Sequence, residues 1–317
     1  MAAVTTAQRT PVREPFIERF RMTRKERHNL MLGLLFISPW LIGFVVFLLY
    51  PIYYTVKISF TRYTGFGTPE WIGLENYRHM INDTQFWSAV YNTLYYTALA
   101  VPVGVVVAMV LALAMNQPLP EVPIFRAVIY IPSVIPLFTL TFIYQVLMNP
   151  TQGIFNRILM FFGLPNVNWF GNPAYAKLAL VILAQYGAGQ AAIVFLAALK
   201  GIPPSLHEAA QLDGASTMRR FFNVTLPLMT PVILYDIILG LSLGLQIFTQ
   251  VYILGGDPPG SPAGSTMMYV LYLYLNAFRY GALGYAAAMA WVLFVVTLIL
   301  ALIIFKSSKW WVNYETI

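Results

Sequence analysis

The 317-residue chain has no cysteine and only three histidines, His28, His79 and His207, widely separated in sequence. The first absence removes disulfides, thiolate metal sites and a cysteine nucleophile. The second leaves a histidine metal cluster without material. Charge is also scarce: Asp, Glu, Lys and Arg make up 10% of residues, against about a quarter in an ordinary soluble domain. Such a chain cannot cover a water-facing surface in the usual way. No Gly-Lys pair occurs, so the GxxxxGK[ST] phosphate loop and its mode of ATP binding are excluded. His207-Glu208-Ala209-Ala210-Gln211 approaches the zinc-protease pattern HExxH, but Gln211 stands where the second histidine ligand belongs. The 12 carboxylates fall mostly in loops and no Ser/His/Asp set stands out. The chain reads as neither enzyme nor metalloprotein.

What is present is apolar. Hydrophobic residues reach 59% and the mean hydropathy is +0.68, which points to an all-α, polytopic membrane protein. A helical crossing needs roughly 20 apolar residues. Spans are expected at about 30–51, 90–115, 123–147, 178–199, 229–253 and 283–305. Ile158–Ala176 carries Pro165, Asn166, Asn168, Gly171, Asn172 and Pro173 and reads as loop. Ser265–Phe278 is apolar but only 14 residues long, which suits a short re-entrant or interfacial helix better than a seventh span. Tyr50, Tyr53, Tyr54, Trp310 and Trp311 fall at expected span ends and read as an aromatic belt.

Lys and Arg set the orientation. Arg9, Arg13, Arg19, Arg21, Arg24, Lys25 and Arg27 precede the first span. With Arg126, Lys200, Arg219, Arg220, Lys306 and Lys309 they place thirteen of the 19 basic residues on one side. That side is expected to be the cytoplasm, with both termini in it. The bias accounts for most of the net charge of +7 without nucleic acid. A cleaved signal peptide is not expected, because the first apolar run is too long and no small-residue cleavage site follows before Tyr50 and Pro51. The organisation expected is a basic segment (1–27), a first span with its outer loop (28–85), a core (86–306) containing an inner loop (200–227), and a tail (307–317).

The inner loop, KGIPPSLHEAAQLDGASTMRRFFNVTLP, is not a slack connector. Pro203 and Pro204 stop the preceding helix. Ser205 stands three before Glu208, a capping-box spacing that predicts a new short helix from about Leu206. Gly214 weakens that helix, and Pro227 and Pro231 mark the approach to the next span. On these signals alone the loop could equally be a capped turn joining two spans.

The spacing Glu208-Ala209-Ala210, three residues, Gly214, nine residues, Val224, one residue, Leu226-Pro227 resembles the signature loop of binding-protein-dependent ABC importer permeases. Val224 stands where that family most often has Ile. Gly73-Leu74-Glu75-Asn76-Tyr77, Asn92-Thr93-Leu94, Pro132, Gly153-Ile154-Phe155-Asn156, Gly163-Leu164, Trp169 and Tyr274 to Ala288 resemble the MalF-like, sugar-importing branch. Gly255-Gly256-Asp257-Pro258-Pro259 departs from the usual Gly-Gly-Pro. The resemblance covers roughly residues 30–305. It implies a MetI-like permease fold in a bacterial inner membrane. It also implies a second related permease, two ATPase subunits that bind ATP and Mg in place of this chain, an extracytoplasmic solute-binding protein, and a sugar cargo, di- or oligosaccharide. Glu208, Ala209, Ala210, Asp213, Gly214, Leu226 and Pro227 would then form the coupling element. Small residues there permit close approach to an ATPase, and Glu208 offers a charge unless capping satisfies it first.

Polar residues inside spans need a reason. Gln185-Tyr186-Gly187-Ala188-Gly189-Gln190 lies in the fourth span, with Tyr186 and Gln190 on one helix face. Gly187 and Gly189 would admit a backbone or a ligand. Ser242, Gln246 and Gln250, each four apart, form a polar stripe in the fifth. Neutral amides with an aromatic ring suit a sugar, but the same groups also serve as contacts between helices. Asp236 is the sole charge within a span, about 13 Å along a helix from Pro227 at 1.5 Å per residue. It would sit near a water-filled inner cavity or pair with a basic group of a partner. The alternatives are an ion-coupled secondary transporter, which predicts repeated halves and paired carboxylates, and a membrane enzyme on lipid-linked sugar, which predicts acidic pairs. Asp236 has no partner carboxylate in sequence, and Asp257 and Glu121 are isolated.

Overall fold

The computed structural model describes residues 23–256 and 258–314. Arg9, Arg13, Arg19, Arg21 and Asp257 therefore lie outside the described residues. The described residues fall into two compact units that divide between Thr55 and Val56.

In the first unit Thr23 opens α1 (Arg24–Phe44) with a capping box: its Oγ1 accepts from Glu26 N at 3.3 Å, and its own N–H donates to Glu26 Oε2 at 2.7 Å. A π turn, Val45–Leu49, continues the helix, and Tyr50 N–H reaches back five residues to Val45 O. Pro51 follows at once. In a regular α-helix its ring would strike the carbonyl four residues earlier; a wide turn just before it relieves that clash. α1 buries no side chain, and Phe36 is 89% exposed, as expected of a helix wetted by lipid rather than water.

The second unit begins within α2 (Tyr50–Ser59) and contains a two-stranded antiparallel ribbon, β1 (Thr61–Arg62) with β2 (Glu70–Trp71). Asn76, in α3 (Glu75–Asn82), donates to Ser59 O at 2.8 Å and Thr61 O at 3.0 Å, fastening the ribbon to α3. α4 (Thr84–Met115) is the central column. Its first half packs with Tyr269, Tyr272, Tyr285 and Met289. Its middle packs with Leu180, Leu183, Val251 and Leu271. Its second half packs with Phe195, Leu199 and Met229.

Asp83 caps α4 and ties it to its neighbours. Oδ1 accepts from Gln85 N at 2.9 Å and Phe86 N at 3.2 Å. Oδ2 accepts from Tyr272 Oη at 2.6 Å and Tyr285 Oη at 2.8 Å. Burial opposes the charge of this carboxyl, but those hydrogen bonds, the tyrosines' foremost, outweigh it and hold the group below the usual carboxylate range.

Three expectations are corrected. The third span is not one helix: α5 (Val122–Val134) and α6 (Leu137–Leu147) meet at 103°. Pro136 is the cause, since the residue before a proline is driven out of the helical region, and Ile135 sits at φ −71°, ψ 128°. Long apolar helical runs cover Arg24–Ser59, Thr84–Met115, Pro173–Gly201, Thr217–Leu254 and Leu283–Trp310, so the described residues give six crossings only when the bent pair counts as one. Second, Ile158–Ala176 is not all loop. α7 (Ile154–Phe161) runs into it, and α8 (Pro173–Ala184) starts on the proline read as a breaker. Pro173 is in the first turn, where its missing N–H costs nothing, and Asn172 Oδ1 caps Ala174 N at 3.0 Å. Within Ser265–Phe278 lies the short helix expected there, α14 (Tyr269–Tyr274), extended by a π turn at Leu275–Arg279. Tyr269, Leu271, Tyr272 and Leu275 are buried, so it packs against the rest of its unit, and it is too short to be a seventh span.

The third correction concerns the inner loop. α9 (Ala188–Gly201) runs two residues into it, and α10 (Pro204–Leu212) starts two residues before the expected Leu206. Pro203 occupies the cap position without any side-chain cap bond, so the Ser205–Glu208 capping box does not form. Pro204 already fixes the φ that a first turn needs, which leaves Ser205 inside the helix.

Candidate functional site

A cavity of about 610 Å³ opens among α4, the α8–α9 junction and α12 (Leu226–Leu245). Two of the three long runs that wall it are interrupted at its level, and α4 is continuous. A 3₁₀ turn, Gln185–Gly187, separates α8 from α9. Gln246–Phe248 separates α12 from α13 (Thr249–Leu254). Broken spans are tolerated in a membrane where the freed backbone lines a cavity.

The cavity gathers Gln185, Tyr186, Gly187, Gln190, Gln246 and Gln250 on its wall, but not Ser242. The expected stripe of three is therefore broken. Ser242 Oγ turns back to Ile238 O at 3.2 Å, and Gln246 Nε2 donates to Ser242 O at 3.0 Å, closing the end of α12. Gln250 stands beyond the interruption, on a different helix. Gln185 Nε2 donates to Val181 O at 2.8 Å, while its buried Oε1 has no partner among the described residues. Of the two glycines read as admitting a backbone or a ligand, Gly189 admits a backbone: a Cβ there would strike Ile129 O of α5. At Gly187 a Cβ would meet nothing within 4 Å.

Sequence reasoning missed the aromatic wall. Tyr96, Tyr235 and Phe248 also line the cavity. Phe248 belongs to a ring cluster with Tyr252 at 5.3 Å and Tyr274 at 5.1 Å. The abundance of aromatics at span ends masked them. Asp236 lines the cavity as well, from the middle of α12. It makes no ion pair among the described residues, where the only two such pairs both use Arg62.

The inner loop is a helix–turn–helix. α10 closes on Gly214, at φ +76°. Gly214 N–H donates to Gln211 O at 3.0 Å and Ala215 N–H to Ala210 O at 2.9 Å, the paired bonds of a Schellman stop. Gly214 thus ends the helix rather than weakening it. Ser216 Oγ then accepts from Arg219 N at 3.4 Å and starts α11 (Thr217–Arg220). Arg220 bridges the two helices through Gln211 Oε1 at 3.4 Å. A π turn at Phe221–Thr225 leads into α12, so Leu226 and Pro227 lie inside a continuous helical run; Pro227 follows a wide turn as Pro51 does. α10 buries no residue. Glu208, Ala209, Asp213 and Gly214 are exposed, Ala210 is half-buried, and Glu208 pairs with nothing among the described residues. Apolar side chains that sequence reasoning did not single out share this surface: Leu212 is 90% and Met218 66% exposed. The helix–turn–helix thus presents small and apolar residues on its exposed surface.

Residues 84–309 match the family of binding-protein-dependent transport system inner membrane components. The chain belongs to this family. The permease is 36% identical over 93% of its length to the probable ABC transporter permease protein YesP of Bacillus subtilis (strain 168), covering 96% of that protein. It is 34% identical over 86% of its length to the arabinooligosaccharides transport system permease protein AraP of the same organism, covering 87%. The fold matches a chain of a bacterial alginate ABC transporter, solved in complex with an alginate pentasaccharide-bound periplasmic protein. The TM-score is 0.77 at 24% identity, over 90% of the permease and 96% of that chain. The matched residues include both the cavity and the helix–turn–helix. These relatives are permease proteins of transporters, and the permease is a membrane-spanning transport subunit rather than an enzyme.

Proposed function

We propose that the permease is one membrane half of an ATP-driven importer for a carbohydrate, a di- or oligosaccharide, and that it works by alternating access. The observation that carries this reading is the cavity: about 610 Å³, walled by neutral amides and aromatic rings at the level where two spans break. Amides donate to and accept from hydroxyls, and ring faces cover the apolar faces of a sugar. Relatives named for sugar transport support the same cargo. Gln185, Tyr186, Gly187, Gln190, Gln246 and Gln250 form the candidate path, and Ser242 supports Gln246 from behind.

The chain itself binds no ATP or Mg; a pair of ATPase subunits does. Each engages one helix–turn–helix, so a second related permease completes the assembly, and an extracytoplasmic binding protein delivers cargo. Both termini and the helix–turn–helix face the cytoplasm, in keeping with the basic residues there. Closure of the ATPase pair moves α10 through Glu208, Ala209, Ala210, Asp213 and Gly214. The continuous run from α11 through Leu226 and Pro227 into α12 carries that motion to the cavity wall. The ion-coupled alternative is not favoured, since Asp236 has no second in-span carboxylate beside it among the described residues.

The test is ATP hydrolysis by the reconstituted assembly across a panel of saccharides and polyols, with binding protein present. Stimulation by a di- or oligosaccharide is expected. Stimulation by none of them, or failure of an ATPase to co-purify, would overturn the reading.

A further inference from the structure

We propose that Asp236 holds the translocation cavity at negative potential, so that the path favours neutral saccharides over anionic ones. The inference rests on the carbohydrate reading above.

Asp236 is half-buried on α12 and faces the cavity. No Lys, Arg or His lines that cavity among the described residues, and the other polar side chains on its wall are neutral amides and hydroxyls. The wall therefore holds one acidic side chain and no basic one. An isolated charge in a span is expensive and is kept where it serves a path or pairs with a cation; here no cation lines the cavity among the described residues. A carboxylate only accepts hydrogen bonds, so it suits the O–H groups of a neutral sugar. A cargo bearing its own carboxylate or sulfate meets like-charge repulsion instead. With apolar walls on either side, that repulsion is screened less than in bulk water.

The chain's lack of cysteine gives a direct test. Gly187 lines the same cavity, and a Cβ there meets no neighbour within 4 Å, so Gly187→Cys places a lone thiol on the wall. In the full assembly, with companion subunits cleared of reactive thiols, its modification by a cationic and an anionic thiosulfonate of equal size is compared. The cationic reagent should be favoured, and Asp236→Asn should lower the cation-to-anion rate ratio on the order of tenfold. Asp236→Glu should retain it. A ratio unchanged by Asp236→Asn overturns the proposal. So does dissociation of the companion permease in that variant, which would show Asp236 paired with a cation across the subunit boundary. Saccharide-stimulated ATP hydrolysis by the unsubstituted assembly is measured in parallel. Its absence sinks the carbohydrate reading even where the thiol ratio behaves as expected, so the two failures are told apart.

Discussion

Asp83 concentrates four hydrogen bonds on one carboxylate, and its effect should be measurable by itself. Asp83→Ala removes a helix cap, at a cost of about 0.5–2 kcal/mol, and leaves the hydroxyls of Tyr272 and Tyr285 without their acceptor. A lower unfolding temperature in detergent is the expected result. The pH dependence has a definite sign. The folded-state value lies below the unfolded value of 3.8, so the stabilisation is complete above that value and fades as pH falls through the folded one. Asp83→Asn keeps a capping oxygen but should flatten this acid-side loss, as read from unfolding curves between neutral and acid pH. Gly189 is a second single-residue test. A methyl group there meets the Ile129 carbonyl, which cannot yield as a side-chain tip can. Gly189→Ala should destabilise by about 1–3 kcal/mol and reduce the yield of folded protein, whereas Gly187→Ala, in open space, should not.

At the scale of the element, the helix–turn–helix depends on its stop. Gly214→Ala puts a Cβ into left-handed backbone at a cost of about 1–2 kcal/mol. Transport should fall while the protein still reaches the membrane, and Glu208→Gln should uncouple ATP hydrolysis from transport more than it lowers folded yield. Transport by Gly214→Ala equal to that of the unsubstituted chain would remove the stop from the coupling account. How far such elements can be read in advance depends on where their causes lie. The Schellman stop has its cause at Gly214 itself. The right-angle bend was equally available in Pro136, but an unbroken apolar run concealed it. The break at Gln246–Phe248 had no local mark. No proline or glycine occupies it, and Ile247 is buried against the α8 and α14 side chains, so tertiary packing overrode a helical pattern. The start of α10 was misplaced because two adjacent prolines offered two starts, and Pro204 was the better first-turn residue.

For the whole molecule, the succession of crossings followed from apolar run lengths, while the meeting of two interrupted spans at one cavity did not, because no sequence distance encodes which breaks share a level. The outer faces of the larger unit are largely apolar, with Phe161 and Trp310 each more than 80% exposed. Lipid covers some of that surface. A companion subunit is expected on the rest, so the chain expressed by itself should give a lower yield of monodisperse protein than when co-expressed with the second permease and the ATPase, by size-exclusion chromatography. Equal behaviour in both cases would count against an obligate partner.

One corner of the bundle is fastened more tightly than its position requires. Asn92 Nδ2 donates to Gly264 O at 2.9 Å and Met267 O at 3.0 Å, and its Oδ1 accepts from Lys177 Nζ at 3.1 Å. The same ammonium rests over the rings of Tyr91 and Tyr95, at 4.9 and 4.8 Å. α4, α8 and the segment before α14 are thus joined through a single amide, and they should travel as one block. Spin labels at Tyr175 and Ser265 would then keep a constant separation whether nucleotide is bound or absent, a fixed ruler against which the rearrangement elsewhere in the transporter could be gauged.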